Sequence, residues 1–148
     1  MNLALVASPP RVMRCADLPR ALLMFEATYG RHDKPGTKAW FEARLGDPDH
    51  LFLIARHRAL VGAVNRTFYY PDRLDCHSLF IFGDREPDIW ETLRLVRALI
   101  SWGRKRGAAK FHLSSALGQA DLTPLARRLG MTRDMPGFVM DLQRVSRE

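Results

Sequence analysis

Between Cys76 and Ser115 the chain reads as strand, loop, helix and strand, and few architectures accommodate that order. Ser78-Leu-Phe-Ile-Phe82 is a short apolar run, and Gly83-Asp-Arg-Glu-Pro87 is a polar loop. An amphipathic helix is predicted from Asp88 to Gly107, followed by a second strand, Lys110-Phe-His-Leu-Ser114. A connection of that length is a crossover, so Leu79–Phe82 and Lys110–Ser114 are expected to be parallel neighbours. The loop lies where a helix N-terminus offers unpaired N–H groups and a favourable dipole to an anion. Here it contains one glycine and is crowded by Asp84, Glu86 and Asp88. Acids in that position are ordinary helix-capping residues, and they oppose a phosphate.

The rest of the chain is dense with element signals. Arg11-Val-Met-Arg-Cys15 predicts a short strand. A helix starts near Asp17, places Leu18, Leu22, Phe25 and Tyr29 on one face, and stops at Gly30. Thr37 is the predicted cap of a short helix from Lys38 to Leu45 that offers Trp40, Phe41 and Leu45 to the core. Leu51–Ala55 and Leu60–Val64 flank a tight connection at Arg56-His-Arg58 and predict a hairpin whose second strand continues toward Tyr70. Pro71-Asp-Arg73 is the predicted turn into a strand from Asp75 to Phe82. In the long helix, Ile89, Leu93, Val96 and Ile100 form the predicted buried stripe, widened by Leu99 and Trp102, while Arg94, Arg97 and Arg104 face solvent. A last helix is expected from Asp121 to Leu129, and Phe138–Leu142 as a closing strand.

A chain of 148 residues without linker or repeat is expected to form one domain, with residues 1–10 as an N-terminal extension. No stretch approaches the roughly 20 apolar residues that span a bilayer, so no membrane partner is expected. The N-terminus does not read as a signal peptide, and Cys15 and Cys76 read as reduced thiols, which implies a cytoplasmic location. The net charge is +7, carried almost wholly by arginine. Such a field attracts nucleic acid, an acidic protein or a phosphorylated cofactor. No run of five basic residues and no aromatic-plus-basic cluster marks a nucleic-acid platform.

The element order resembles the GNAT superfamily, the acetyl-coenzyme A-dependent N-acetyltransferases. Val12-Met-Arg-Cys-Ala-Asp-Leu-Pro19 is similar to the family's opening strand and turn. Ala59-Leu-Val-Gly-Ala63 is similar to its hairpin, and Leu125-Ala-Arg-Arg-Leu-Gly-Met131 to its last-helix ending. The resemblance covers about residues 11 to 142, and the long helix with its preceding strand most resembles phage-encoded members. It implies an α/β fold with a mixed central sheet of about six or seven strands and about four flanking helices. It further implies an acyltransferase that uses acetyl-CoA or another acyl-CoA, an amine acceptor and no metal.

The family's functional elements transfer unevenly. Its pyrophosphate loop, Arg/Gln-x-x-Gly-x-Gly/Ala, maps onto Phe82–Ile89, where Gly83 and Arg85 remain as cofactor-binding candidates. Pro87 removes a donor there, and Glu86 and Asp88 repel phosphate, so weak acetyl-CoA binding is expected. The resemblance also implies that a pantetheine arm pairs with backbone around Leu79, Phe80 and Ile81. It aligns Gln119 with an asparagine that helps hold the cofactor. Ala126 stands where the family has its tyrosine acid. His77 with Asp75 is the candidate base, the pair fitting a polar, solvent-facing strand start as well, and Tyr69 and Tyr70 are candidate replacements for the missing acid. Glu26 is a candidate for facing the acceptor; His32, His50 and His57 fall in turns, and no spacing marks a metal site. Three readings follow: a divergent acyltransferase; a catalytically inactive binding or structural module, for example a virion component inside a phage particle; and a nucleic-acid-directed relative.

Overall fold

Alternation along the strands and a 3.6-residue period along the helices sort the apolar residues into two cores, one on each side of a sheet. The computed structural model describes residues 9–30, 32–67, 70–85, 88–114 and 122–131, with Thr67 and Tyr70 described in backbone only. Among these, five strands form one sheet in sequence order: β1 (Arg11–Val12), β2 (His50–Ile54), β3 (Arg58–Thr67), β4 (Tyr70–Gly83) and β5 (Lys110–His112). β1 to β4 pair antiparallel, and β5 adds parallel to β4. This is the mixed α/β class that the sequence implies, with fewer strands among the described residues than the six or seven expected. The expected closing strand, 138–142, lies outside the described residues.

Helices α1 (Leu18–Tyr29) and α2 (Lys34–Arg44) cover one face, where Phe25 packs against Phe41, Phe52, Phe82 and Val61. Helices α3 (Ile89–Lys105) and α4 (Thr123–Arg128) cover the other with Leu93, Leu95, Val96, Leu99 and Leu125 against Leu53 and Leu60. No helix among the described residues is long and apolar enough to cross a membrane.

Four boundaries differ from expectation, each for a local reason. Helix α2 starts at Lys34, because Asp33 caps it by accepting from Gly36 N at 3.1 Å and Pro35 suits its first turn. Pro71-Asp-Arg73 lies inside β4 rather than in a turn: Arg66 pairs with Leu74 and Thr67 with Tyr70, so the three residues bulge out of the ladder. A bulge needs no donor from Pro71, which has none. Strand β5 ends at His112, short of Ser114.

The fourth difference is the rotation of α3. Leu93, Val96 and Leu99 are buried and Arg94, Arg97 and Arg104 exposed as expected, but Leu95 is fully buried too, while Ile89 and Ile100 are half-buried. The rotation follows from close approach. A Cβ on Gly103 would lie 2.8 Å from Cys76 Sγ, and one on Gly62 would collide with the Leu99 side chain. The two glycines let α3 sit directly on β3 and β4.

Candidate active site

Strand β4 carries the site because its two neighbours stop agreeing on its register halfway along. On the β3 side, Gly62 pairs with Ser78 and Val61 with Phe80, which leaves Leu79 as the extra residue of a β-bulge. Leu79 and Phe80 consequently both pack toward the α1 face, where strict alternation would separate them. On the β5 side, the parallel register runs Asp75–Lys110, Cys76–Phe111 and His77–His112, and ends there. Immediately beyond, side chains replace the ladder. Ser114 N donates to Ser78 Oγ at 2.9 Å, Ser78 Oγ donates to Ser114 O at 3.0 Å, and Ser114 Oγ donates to Ser78 O at 3.0 Å. The hydroxyls staple the two chain segments just beyond the end of the β4–β5 ladder. A bulge re-aims backbone groups at such a place, and bulges recur beside active sites.

Three titratable side chains gather next to this staple. Asp75 is 0 % exposed, which excludes the solvent-facing reading of the strand start. Its carboxylate receives His112 Nε2 at 3.0 Å and lies between 2.9 and 3.0 Å from the Arg73 guanidinium. Burial pushes this carboxyl upward, but the hydrogen bonds from His112 and Arg73 together outweigh it and hold it below the usual range. The His77 ring stacks on His112, with centroids 4.6 Å apart and planes within 10°. His77 Nε2 is buried without a hydrogen-bond partner. Burial first, and His112 second, push the His77 imidazole below 6.5, with Asp75 pulling the other way. His77 therefore rests neutral near pH 7, with a ring nitrogen available to accept a proton.

Asp75, His77 and His112 each bring one ligand-type atom within 4.8 Å of the others, a cluster that sequence spacing did not reveal. A metal must lie near the plane of each imidazole that binds it, and two stacked, near-parallel rings share no such point. Arg73 already holds the carboxylate. The arrangement suits proton handling better than metal ligation. The neighbouring Cys76 thiol is buried and pushed up to about 11 by desolvation, which makes it inert as a nucleophile.

The loop between β4 and α3 is built differently. Asp88 caps α3, and its carboxylate accepts from Trp90 N at 2.9 Å and Glu91 N at 3.4 Å. Glu91, 4 % exposed, accepts from His57 N at 2.7 Å. Arg58, 8 % exposed, lies among these acids: burial lowers its pKa, while Glu91, Tyr29, Asp88 and Asp84 raise it. Its Nε has no hydrogen-bond partner. Asp84 is tied to His57 through both backbone and side chain. The N–H groups of Trp90 and Glu91 at the start of α3 are therefore answered by a carboxylate of the chain itself.

The last turn of α1 reaches the same end of β4. Thr28 Oγ1 accepts from Gly83 N at 2.9 Å and donates to Gly83 O at 3.1 Å, and Tyr29 donates to Ile81 O at 3.3 Å.

Of the residues singled out from sequence, Asp75 and His77 meet at the end of the β4–β5 ladder, with Leu79, Phe80 and Ile81 directly beyond. Gly83 is buried against His57 and Arg58, and Arg85 is exposed. Glu26 pairs with Lys34 at 3.1 Å on the outer side of α1. His50 opens β2 rather than sitting in a turn. Tyr69, Glu86, Pro87 and Gln119 lie outside the described residues, as does the side chain of Tyr70. Sequence reasoning missed His112, Arg73, Arg58 and Glu91. The first was findable: placing the two parallel strands in register sets His112 opposite His77.

No family model matches this sequence, and no curated protein matches it. The fold does match solved structures. A transcriptional regulator from Bacillus halodurans C-125 is 15% identical with a TM-score of 0.74, covering 92% of this chain and 99% of that one. An aminoglycoside 6'-N-acetyltransferase from Acinetobacter haemolyticus is 13% identical with a TM-score of 0.74, covering 90% and 97%. An aminoglycoside N-acetyltransferase in complex with CoA is 12% identical with a TM-score of 0.74, covering 91% and 95%. The chain is thus GNAT-like in fold.

Proposed function

We propose that the protein is an N-acyltransferase that moves an acyl group from a pantetheine thioester to an amine. The observation that carries this reading is the end of the β4–β5 ladder at the Ser78–Ser114 staple, with the Leu79 bulge on one side and His77 on the other. The likeness in fold to acetyltransferases, one of them in complex with CoA, supports it.

In this reading the thioester lies beside Leu79. The amine nitrogen attacks the carbonyl carbon, forming the C–N bond, while negative charge gathers on the carbonyl oxygen. Backbone N–H groups re-aimed by the bulge stabilise that oxygen. His77 Nε2 takes the proton the amine loses, and the His112–Asp75–Arg73 chain beneath it holds the stacked ring in place. Collapse breaks the C–S bond and releases a thiolate. With Ala126 where a tyrosine acid would stand, solvent returns the thiolate's proton, which its ordinary pKa of about 8.5 permits. Arg85, Gly83 and Gln119 are weaker candidates for contact with the donor, and Tyr69 and Tyr70 for contact with the acceptor.

The test is thiol release from millimolar acetyl-CoA in the presence of a panel of primary amines, aminoglycosides and amino sugars included. Amine-dependent release that disappears in His77→Ala supports the reading. No release with any amine, and no binding of CoA or pantetheine, favours a second reading as a non-catalytic binding module. The specific observation behind that alternative is the carboxylate-filled N-terminus of α3.

A further inference from the structure

We propose that the solvent face of α3 binds single-stranded nucleic acid, a function separate from the acyltransferase reading, which rests on β4. Along the sequence the residues concerned form no cluster; wound into a helix, they do. Trp90, Arg94, Arg97, Ser101 and Arg104 follow one another at steps of four, three, four and three residues, so they stand in one row. All five are exposed. At 1.5 Å per residue the row is about 21 Å long, room for a few nucleotides of extended strand. Lys105 lies exposed beside its far end. At the near end the Arg128 guanidinium of α4 lies over the Trp90 ring at 4.7 Å, and Trp90 is still 57% exposed.

Charge and chemistry choose the occupant. From residue 92 to residue 120 the sequence contains Arg94, Arg97, Arg104, Lys105, Arg106 and Lys110, and no aspartate or glutamate. That single segment supplies most of the net charge of +7. The two acids at the head of the helix are engaged by backbone: Asp88 caps α3, and Glu91 is buried on His57 N. Arg97, Arg104 and Lys105 have no ion-pair partner among the described residues. A row of unanswered cations selects a polyanion. A guanidinium fork takes two oxygens of one phosphate, and an exposed aromatic ring takes the face of a base. A surface built for an acidic protein keeps its charges at the rim of an apolar centre. Here the cations run along the row itself and Trp90 stands at one end. Bases stacked inside a duplex have no free face for that ring, so the row suits a single strand.

Fluorescence anisotropy of a labelled oligothymidylate titrated with the full chain tests this. The expected dissociation constant is about 10⁻⁴–10⁻⁶ M at physiological salt. The logarithm of the binding constant should fall against the logarithm of salt with a slope of about −2, as roughly three phosphate contacts on a single strand require. The double variant Arg97→Gln with Arg104→Gln should bind at least about tenfold more weakly and flatten the slope to about −0.7. Both side chains are exposed, so its thermal melt should match the wild type. Trp90→Ala should weaken binding about fivefold or more and leave the slope as it is, because stacking releases no counterions. No binding, or a slope that the double variant leaves unchanged, would overturn the inference. So would polyglutamate that displaces the strand as well as unlabelled oligothymidylate does, which would assign the face to an acidic protein. Thymidine monophosphate binding as tightly as the oligonucleotide, or a duplex binding more tightly, would also overturn it. Each of these outcomes leaves thiol release untouched, so the acyltransferase reading stands or falls separately.

Discussion

The middle of β4 and its C-terminal end carry polar groups of the same kinds and use them in opposite ways. At the end, Arg58, Asp84, Asp88 and Glu91 answer one another and the α3 dipole, and the backbone donors are capped. In the middle, Asp75 is held by Arg73 and His112, and His77 Nε2 is buried without a hydrogen-bond partner. A buried polar atom without a partner costs stability, so it is kept where chemistry uses it or where a ligand completes it. Both regions hold such an atom, Arg58 Nε at the end and His77 Nε2 in the middle, but only the imidazole nitrogen can take up a proton.

The comparison breaks most visibly at His77. Replacing it with phenylalanine keeps the stacking on His112 and removes the base, so turnover should fall by about 10²- to 10⁴-fold while the fold survives. Unchanged turnover in a well-folded His77→Phe variant would place the base elsewhere, with His112 next to test. A second, structural break is Leu99→Ala. Leu99 is fully buried over Gly62, so urea unfolding should show a loss of about 2–5 kcal/mol. A loss under about 0.5 kcal/mol would mean that α3 does not sit on β3 as described.

A gentler probe is pH. The folded-state pKa of His77 lies below its ordinary 6.5, so on acidification the unfolded chain takes up this proton first. Stability should be full above 6.5 and decline as pH falls from there toward the lowered folded value. A second loss belongs to Asp75, whose contribution is present above its ordinary 3.8 and disappears as pH falls through its lower folded value. Thermal melts from pH 7.5 to 3 should resolve the two steps, and His77→Phe should lack the first. A first step that persists in that variant would assign it to another group.

How much of this was legible in the sequence depends on the range of the interaction. The parallel crossover was readable because its helix has a 3.6-residue period and its flanking runs are too short to be helices. The α2 start was missed because Asp33 competes with Thr37 as a cap, and only the bond to Gly36 N decides between them. On α3, Leu93, Val96 and Leu99 were read correctly as buried; Leu95 was missed because Gly62 and Gly103 set the approach from the opposing elements, and glycine adds nothing to an apolar pattern. At the site, Asp75 and His77 are two residues apart and visible as a pair. His112 joins them only through a parallel register, and Arg58 meets Glu91 only through the fold. Arg58 looked like part of a hairpin connection, and no local pattern singled out Glu91. Burial, which no local pattern conveys, makes them partners.

The central claim of the proposal is that the carboxylate cap on the α3 N-terminus disfavours a phosphate there. Its most direct test is calorimetry of CoA against the wild-type chain and Asp88→Ser, which keeps a side-chain cap but removes the charge. The account predicts weak binding by the wild type, well above low-micromolar Kd, and about tenfold tighter binding by the variant, a gain of about 1.4 kcal/mol. Low-micromolar binding by the wild type, unchanged in Asp88→Ser, would contradict it.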